Sequence, residues 1–341
     1  MPFTKTMKLA TLRDGTRDGT LLVVAKDLKH ALKADHVAPT LQTALDDWGY
    51  CAPLLEELAR ELNAGRSGRT FELDPARLMA PLPRAHQFAD ASSYLVHAEL
   101  IFRSRGQAVT DGMKKTPLMY QGCSDPILGP CEDIAVAQED SGIDLEMEIA
   151  VVTGDVPMGA DREQAGAAVR LVMLLNDISL RAFVPADLAT GFGFFLSKPP
   201  SSCSPVAVTP EELGAAWDGK RLHGPVHAYV NGKLLGRPDA GKDMHFDFPR
   251  LIAHAARTRP LPAGTIIGSG TVSNRDRNTG AGCLFERRAE EIIADGKAKT
   301  PFLGYGDSVR IEMLDGEGRS IFGAIDQKVV PAGRKQAQAA G

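Results

Sequence analysis

The chain has 341 residues, 43% of them apolar and 24% charged, with a formal net charge of −4. That length suits about two domains around a sizeable core. The composition excludes a disordered, collagenous or coiled-coil chain, and the slight acidic balance excludes a basic surface built for nucleic acid or an anionic membrane.

No apolar run reaches the ~18 residues of a membrane span, and no apolar leader is expected after the first seven residues. Cys51, Cys123, Cys131, Cys203 and Cys283 are dispersed and form no C-x-x-C pair. Neither a disulfide framework nor a zinc site is expected, and a reducing, cytoplasmic setting is.

In chain order, two apolar runs at 8–12 and 21–25 flank a Gly/Asp-rich turn, which predicts a hairpin. Leu41, Leu45, Trp48, Leu54, Leu55, Leu58 and Leu62 keep a helical period. One helix is expected over 41–62, with Thr40 as N-cap and Asn63 and Gly65 just past its end. Residues 1–75 therefore form a small α+β domain without clustered polar chemistry, a packing or dimer-supporting module. From 76 to 332 many short apolar runs are separated by Gly and Pro, which predicts a β-rich α+β domain. Residues 333–341 are a small, polar, flexible tail.

Four segments carry polar chemistry. Between Phe88 and Glu99 a helical apolar face is formed by Tyr94, Leu95, Ala98 and Ile101. On such a helix Asp90 and His97 share a side, two turns or ~10 Å apart. They are too distant to share an ion easily but can bracket a substrate; the alternative is an N-cap and a surface histidine. Next, Asp144, Glu146 and Glu148 alternate with Leu145, Met147 and Ile149 before the strand turns wholly apolar. On one strand the three acids share a face. Crowded at a core they repel unless a cation neutralises them, and an all-oxygen set suits a hard divalent ion. Asp177 ends the apolar run 171–175, where it needs a partner; a helix cap or Arg181 four residues on would serve.

Lys198 follows the aromatic, nearly uncharged stretch from Thr190. It is expected to be partly buried with a carboxylate or oxyanion partner, unless its head reaches water. Last, a strand at 263–268 runs into Ser269-Gly270-Thr271. This loop lacks the lysine of a P-loop and the helix of a dinucleotide site. It is either a tight turn or a place where backbone N–H groups and Thr271 approach an anion.

Taken in order, Asp90 with His97, Asp144-Leu145-Glu146-Met147-Glu148, Asn176-Asp177-Ile178-Ser179-Leu180-Arg181, Phe195-Leu196-Ser197-Lys198 and the 264–273 loop resemble the fumarylacetoacetate hydrolase superfamily. The resemblance covers about 85–332, and 1–75 looks like the short N-terminal domain of some bacterial members. It implies a mixed β-sandwich or β-roll, assembled as a homodimer. It implies a divalent metal, Mg²⁺ foremost with Mn²⁺ or Ca²⁺ as alternatives, on Asp90, Glu146, Glu148 and Asp177, with Asp144 left out. His97 matches the general base, Glu286 its carboxylate partner, and Lys198 a lysine near metal and substrate. Tyr120, Arg181, Thr271 and Arg105, with Arg103 as the alternative arginine, match substrate contacts. Two departures stand out: Ser92 replaces a substrate-contacting aromatic, and His97-Ala98-Glu99 replaces an H-x-x-E pair.

The implied activity is C–C hydrolysis of a fumarylacetoacetate- or acylpyruvate-like diketo acid in aromatic-compound catabolism. Sister isomerase, hydratase and decarboxylase activities are alternatives, as is a non-catalytic metal-stabilised binding protein. The small-molecule partner is a keto acid, without nucleic acid or membrane.

Overall fold

A computed structural model describes residues 6–333. The hairpin forms as expected, Lys8–Leu12 pairing antiparallel with Thr20–Val24. Thr40 caps its helix by accepting a hydrogen bond from the Thr43 N–H. The single helix expected over 41–62 is two, Leu41–Asp46 and Trp48–Asn63, broken at Asp47, whose φ of −130° and ψ of 54° are not helical. Leucine spacing is blind to one non-helical residue between two turns that keep the same buried face.

The fold is α+β, with two main mixed sheets. One has eleven strands. It runs from Phe71–Glu72 through His30–Lys33, Thr20–Val24, Lys8–Leu12, Ala207–Val208, Val169–Asn176, Met147–Thr153, Ile266–Gly268 and Phe88–Ala91 to Met119–Gln121, with Ser202–Cys203 branching off Val169–Asn176. Lys8 faces Val208 across this sheet, so the N-terminal hairpin and the later strands share one ladder past residue 75. The other sheet has five strands, centred on Val226–Val230, Ser308–Met313 and Ile325–Pro331.

Strand alternation explains why the central runs are wholly apolar. Along Met147–Thr153 and Val169–Asn176, residues Ile149, Val151, Val172 and Leu174 pack toward the five-stranded sheet, in one core with Val226, Val309 and Ile325. Their neighbours Ala150, Val152, Leu171 and Met173 pack on the other face with Leu41, Leu45 and Leu55 of the N-terminal helices. Both faces are dry, so no polar stripe survives in the sequence there.

The tail from 334 onward, together with 1–5, lies outside the described residues. Among the described residues no helix is long and apolar enough to cross a membrane.

Candidate active site

The helix expected from Phe88 begins only at Leu95. Asp90 instead lies on the strand Phe88–Ala91, which is held on both edges by Ile266–Gly268 and Met119–Gln121. Long-range pairing overrides the local helical pattern there, so Asp90 and His97 are not two turns apart on one helix. The expected acidic strand is also interrupted. Asp144 belongs to a short strand paired with Ser179–Leu180, and the long strand starts at Met147.

Asp90 shares the parity of Phe88, and Glu148 that of Ala150 and Val152. Both therefore emerge on the same face of the sheet. Only Ile266–Gly268 separates their strands. A Cβ on Gly268 would sit 2.3 Å from Asp90 Oδ1 and 3.1 Å from Glu148 Oε2, so glycine is required for the two acids to meet. The next turn closes the site from below: the Gly270 N–H, at φ +80°, donates to Glu148 Oε2 at 2.9 Å and Asp90 Oδ1 at 3.2 Å. The glycine loop thus lends a backbone donor to carboxylates, which its sequence alone did not single out from a tight turn.

Asp177 completes the group. Its backbone N–H is held by the Glu146 carbonyl at 3.0 Å, and one oxygen each of Asp90, Glu148 and Asp177 lie within 4.8 Å of one another. All three carboxylates are buried. Burial, then the Asp177 charge, pushes Asp90 up to about 8. Burial, followed by Asp90 and Asp177, lifts Glu148 well above the usual carboxylate range. Burial raises Asp177 as well, against the pull of Lys198. Glu148 Oε1 is buried without a hydrogen-bond partner. Three crowded hard oxygen donors, one of them unpartnered, fit a divalent cation.

Asp177 is not an N-cap and does not pair with Arg181. It accepts from Tyr120 Oη at 2.6 Å and Ser201 Oγ at 2.7 Å, and it pairs with Lys198. Lys198 is buried rather than snorkelling. Its ammonium also reaches Glu146 Oε2 at 2.6 Å and Ser179 Oγ at 2.8 Å. Burial works against its charged form, but Asp177 and Glu146 outweigh that and hold the ammonium. The loop that delivers it is pinned by Asp187, whose Oδ2 accepts from the Phe195 and Ser197 N–H groups, both at 2.9 Å. Nothing in the sequence reading pointed to Asp187; an acid ten residues before a serine in a Gly-rich loop is a weak signal.

Glu146 lies beside the trio, turned to cations. It accepts from Arg181 Nη2 at 2.8 Å and Thr271 Oγ1 at 2.8 Å, besides Lys198. Burial opposes its ionisation, yet Lys198, Arg181 and His97 hold it well below the usual range. Asp144 is fully buried and faces away from the trio. It accepts from Arg181 Nε at 2.9 Å and from the Leu284 and Phe285 N–H groups at 2.8 and 3.0 Å. It therefore anchors the positive N-terminus of the helix Leu284–Asp295.

That helix packs on Leu95–Ser104, which brings Glu286 Oε1 to 3.2 Å from His97 Nδ1. Glu286 is itself fixed by the Gly282 N–H at 2.8 Å. Burial opposes its charge, but His97 and Arg277 keep it below the usual range. Glu99 points elsewhere and pairs with Arg275 at the surface.

Asp90, Glu146, Glu148, His97, Lys198, Tyr120, Thr271, Arg181 and Arg105 all line one cavity of about 490 Å³. Ser92 lines it too, while Arg103 does not. The guanidinium groups of Arg181 and Arg105 lie 4.9 and 5.6 Å from the centre of the Phe285 ring. Phe194 meets Tyr120 edge-on at 5.2 Å. Phe194 and Phe285 were not foreseen; each is the aromatic neighbour of a functional turn.

An α+β fold whose cavity is lined by Asp90, Glu148, Lys198 and a histidine held by Glu286, with Asp177 beside them, is a scaffold that could hold a divalent metal. The fumarylacetoacetate hydrolase C-terminal family model matches residues 87–330, and the fumarylacetoacetase N-terminal domain 2 model matches 7–84. The chain belongs to the fumarylacetoacetate hydrolase family. It is 27% identical over 223 residues, 64% of this chain and 69% of the relative, to an oxaloacetate tautomerase of Bacillus subtilis. Its fold matches the fumarylacetoacetate hydrolase of Exiguobacterium antarcticum with a TM-score of 0.61 at 18% identity, covering 95% of this chain and 99% of that one. It also matches maleylpyruvate hydrolase from Sphingobium sp. SYK-6, solved with manganese(II) and pyruvate, with a TM-score of 0.61 at 17% identity and the same coverages.

Proposed function

We propose that this protein is a divalent-metal-dependent hydrolase that cleaves the C–C bond of an acylpyruvate- or fumarylacetoacetate-like diketo acid, in catabolism of an aromatic compound. The observation that carries the reading is that His97, held by Glu286, and the carboxylates Asp90 and Glu148, with Asp177 beside them, face one cavity. The maleylpyruvate hydrolase that shares the fold was solved with manganese and pyruvate, which supports a keto acid beside a metal. Asp90, Glu148 and Asp177, with Glu146 beside them, would hold the ion; Mg²⁺ is our choice and Mn²⁺ or Ca²⁺ the alternatives. When bound, the ion supplies a Lewis acid that holds keto-acid oxygens and stabilises enolate charge.

The chain's own residues supply the remaining steps. Nδ1 of His97 donates to Glu286, which leaves Nε2 to take a proton from water. The hydroxide adds to the carbonyl remote from the carboxylate. The bond to the methylene carbon breaks, releasing a carboxylic acid and the enolate of pyruvate or acetoacetate, and a proton returns to that carbon. Lys198 places a fixed positive charge beside the developing oxyanion. Thr271, Tyr120, Arg181 and Arg105 orient the substrate. A homodimer in the cytoplasm completes the reading, supported by the family and by five free cysteines.

The test is ultraviolet loss of acylpyruvates and fumarylacetoacetate by chelator-stripped protein, with and without Mg²⁺ or Mn²⁺. Cleavage is expected only with metal, and His97→Ala is expected to slow it ~10²–10⁴-fold. Cleavage without metal, or at full rate in the variant, overturns the mechanism. A second reading, keto–enol tautomerisation, is favoured by the tautomerase relative and uses the same base on a carbon-bound proton. Metal-dependent enol conversion without bond cleavage would select it.

A further inference from the structure

Resting on the reading of His97 as the base, we propose that Arg277 is a positioning residue. It is the countercharge of Glu286, and through Glu286 it fixes which ring nitrogen of His97 stays free to take a proton.

The turn that carries Arg277 is braced from within. Arg277 opens the short 3-10 turn Arg277–Thr279. Asp276 holds that turn, its Oδ1 accepting from the Asn278 N–H at 3.1 Å and its carbonyl from Thr279 Oγ1 at 2.7 Å. From there the guanidinium spans two segments. Nη1 donates to the Asn274 carbonyl at 3.0 Å and to Ser273 Oγ at 3.3 Å, just past Thr271. Nε donates to Glu290 Oε1 at 2.6 Å, one turn beyond Glu286 on the helix Leu284–Asp295. Nη2 is buried without a hydrogen-bond partner and faces Glu286 Oε2 at 3.8 Å.

Glu286 needs such a partner. Its side chain is fully buried, and the Gly282 N–H at 2.8 Å on Oε2 is a neutral donor. The charged or titratable groups beside it are His97 on the helix Leu95–Ser104, Arg277 on its turn and the Cys283 thiol at the start of its own helix. Burial pushes that thiol up, so it stays neutral. A histidine that acts as a base is neutral before it takes the proton, so it cannot balance Glu286 at rest. Among the described residues Arg277 is then the one cation that does. Glu290 leaves it free to do so, because Arg287 also pairs with Glu290 at 3.3 Å, and two arginines stand against two glutamates. Without Arg277, a buried Glu286 beside a neutral imidazole gains by taking up a proton. The protonated acid donates to Nδ1, and the ring proton then sits on Nε2, the atom that has to accept from water.

The test is Arg277→Gln in the full-length, Mg²⁺-loaded protein. kcat for acylpyruvate cleavage is expected to fall ~10-fold or more, as for a base held in the wrong tautomer, with KM and metal affinity nearly unchanged. Added to Glu286→Gln, the same change is expected to cost nothing further. Losses that multiply would show a merely structural role and overturn the proposal. Imidazole ¹H–¹⁵N spectra read the tautomer without turnover, the His97 signal being identified by its loss in His97→Ala. The wild type is expected as Nδ1–H and Arg277→Gln as Nε2–H. Nε2–H in the wild type, or Nδ1–H kept in the variant, overturns the proposal. These spectra decide it even if no acylpyruvate is cleaved, so its failure and that of the hydrolase reading are told apart. Arg277→Met, which keeps the stem without the charge, replaces Arg277→Gln should that variant not fold. Arg277→Lys, which keeps the charge, is expected to hold the wild-type tautomer, and its loss there would also overturn the countercharge role.

Discussion

Two groups of acids lie at or behind one cavity and are balanced in opposite ways. Glu146 and Asp144 are met by Arg181, Lys198, Thr271 and the N-terminus of a helix, and Glu146 stays ionised. Asp90 and Glu148, on strands separated only by Ile266–Gly268, receive a single backbone N–H between them, and burial disfavours the charge on both. Asp177 stands at the boundary, with Lys198 on one side and the other two acids on the other. The comparison teaches that acidity of sequence says little about which carboxylates want a metal. The acids met by side-chain cations carry their charge without an ion, and those left in excess, Asp90, Glu148 and Asp177, could hold a divalent cation with Glu146 beside them.

The sharpest way to break this contrast is Glu148→Gln. Burial and the neighbouring Asp90 and Asp177 disfavour the Glu148 charge without metal, and the nearly isosteric glutamine removes that charge. The metal-free melting temperature should stay level or rise. Mn²⁺ affinity, read by calorimetry, should fall by more than the ~10–100-fold typical of losing a supporting partner. A large drop in metal-free stability would instead place Glu148 in the balanced group.

Lys198→Ala acts on the boundary. It strips the one cation shared by Glu146 and Asp177, and should cost about 3–5 kcal/mol in urea unfolding of the metal-free protein. Added Mn²⁺ should restore part of that, since the freed Asp177 then has another cation. Unchanged stability would show that solvent reaches the pair.

Asp144→Asn probes the balanced group from behind. Asparagine keeps one acceptor for the helix N–H groups but loses the charge that holds Arg181. A loss of about 2–3 kcal/mol is expected, with KM for the keto acid rising more than kcat falls and Mn²⁺ affinity little altered. Equal losses in metal affinity would join Asp144 to the metal group. The smallest effect belongs to Ser201→Ala, which removes one of several donors to Asp177 and should cost about 1 kcal/mol.

Some of this was written in local pattern. The 8–12 and 20–24 hairpin, the Thr40 cap and the apolar runs follow from alternation, turn residues and capping chemistry, which involve neighbours in sequence. The order of the acidic, N-D-x-S-x-R and glycine-loop segments was enough to place the chain in its family. Asp90, Glu148, Asp177, His97, Lys198 and Glu286 were named from that order before any of them could be placed in space.

Tertiary structure decided the remainder, because it depends on partners far along the chain. Asp90 sits on a strand rather than a helix because strands at 119–121 and 266–268 pair with its backbone, a gain no 12-residue window displays. The N-terminal hairpin joins the later strands because Lys8 meets Val208. Glu146, two residues from Glu148, turns to Arg181 and Lys198 because those cations arrive from other loops. Sequence determined which charges are present and in what order; only the packed fold decided which charges lack a partner, since neutralisation is settled across space at 3 Å.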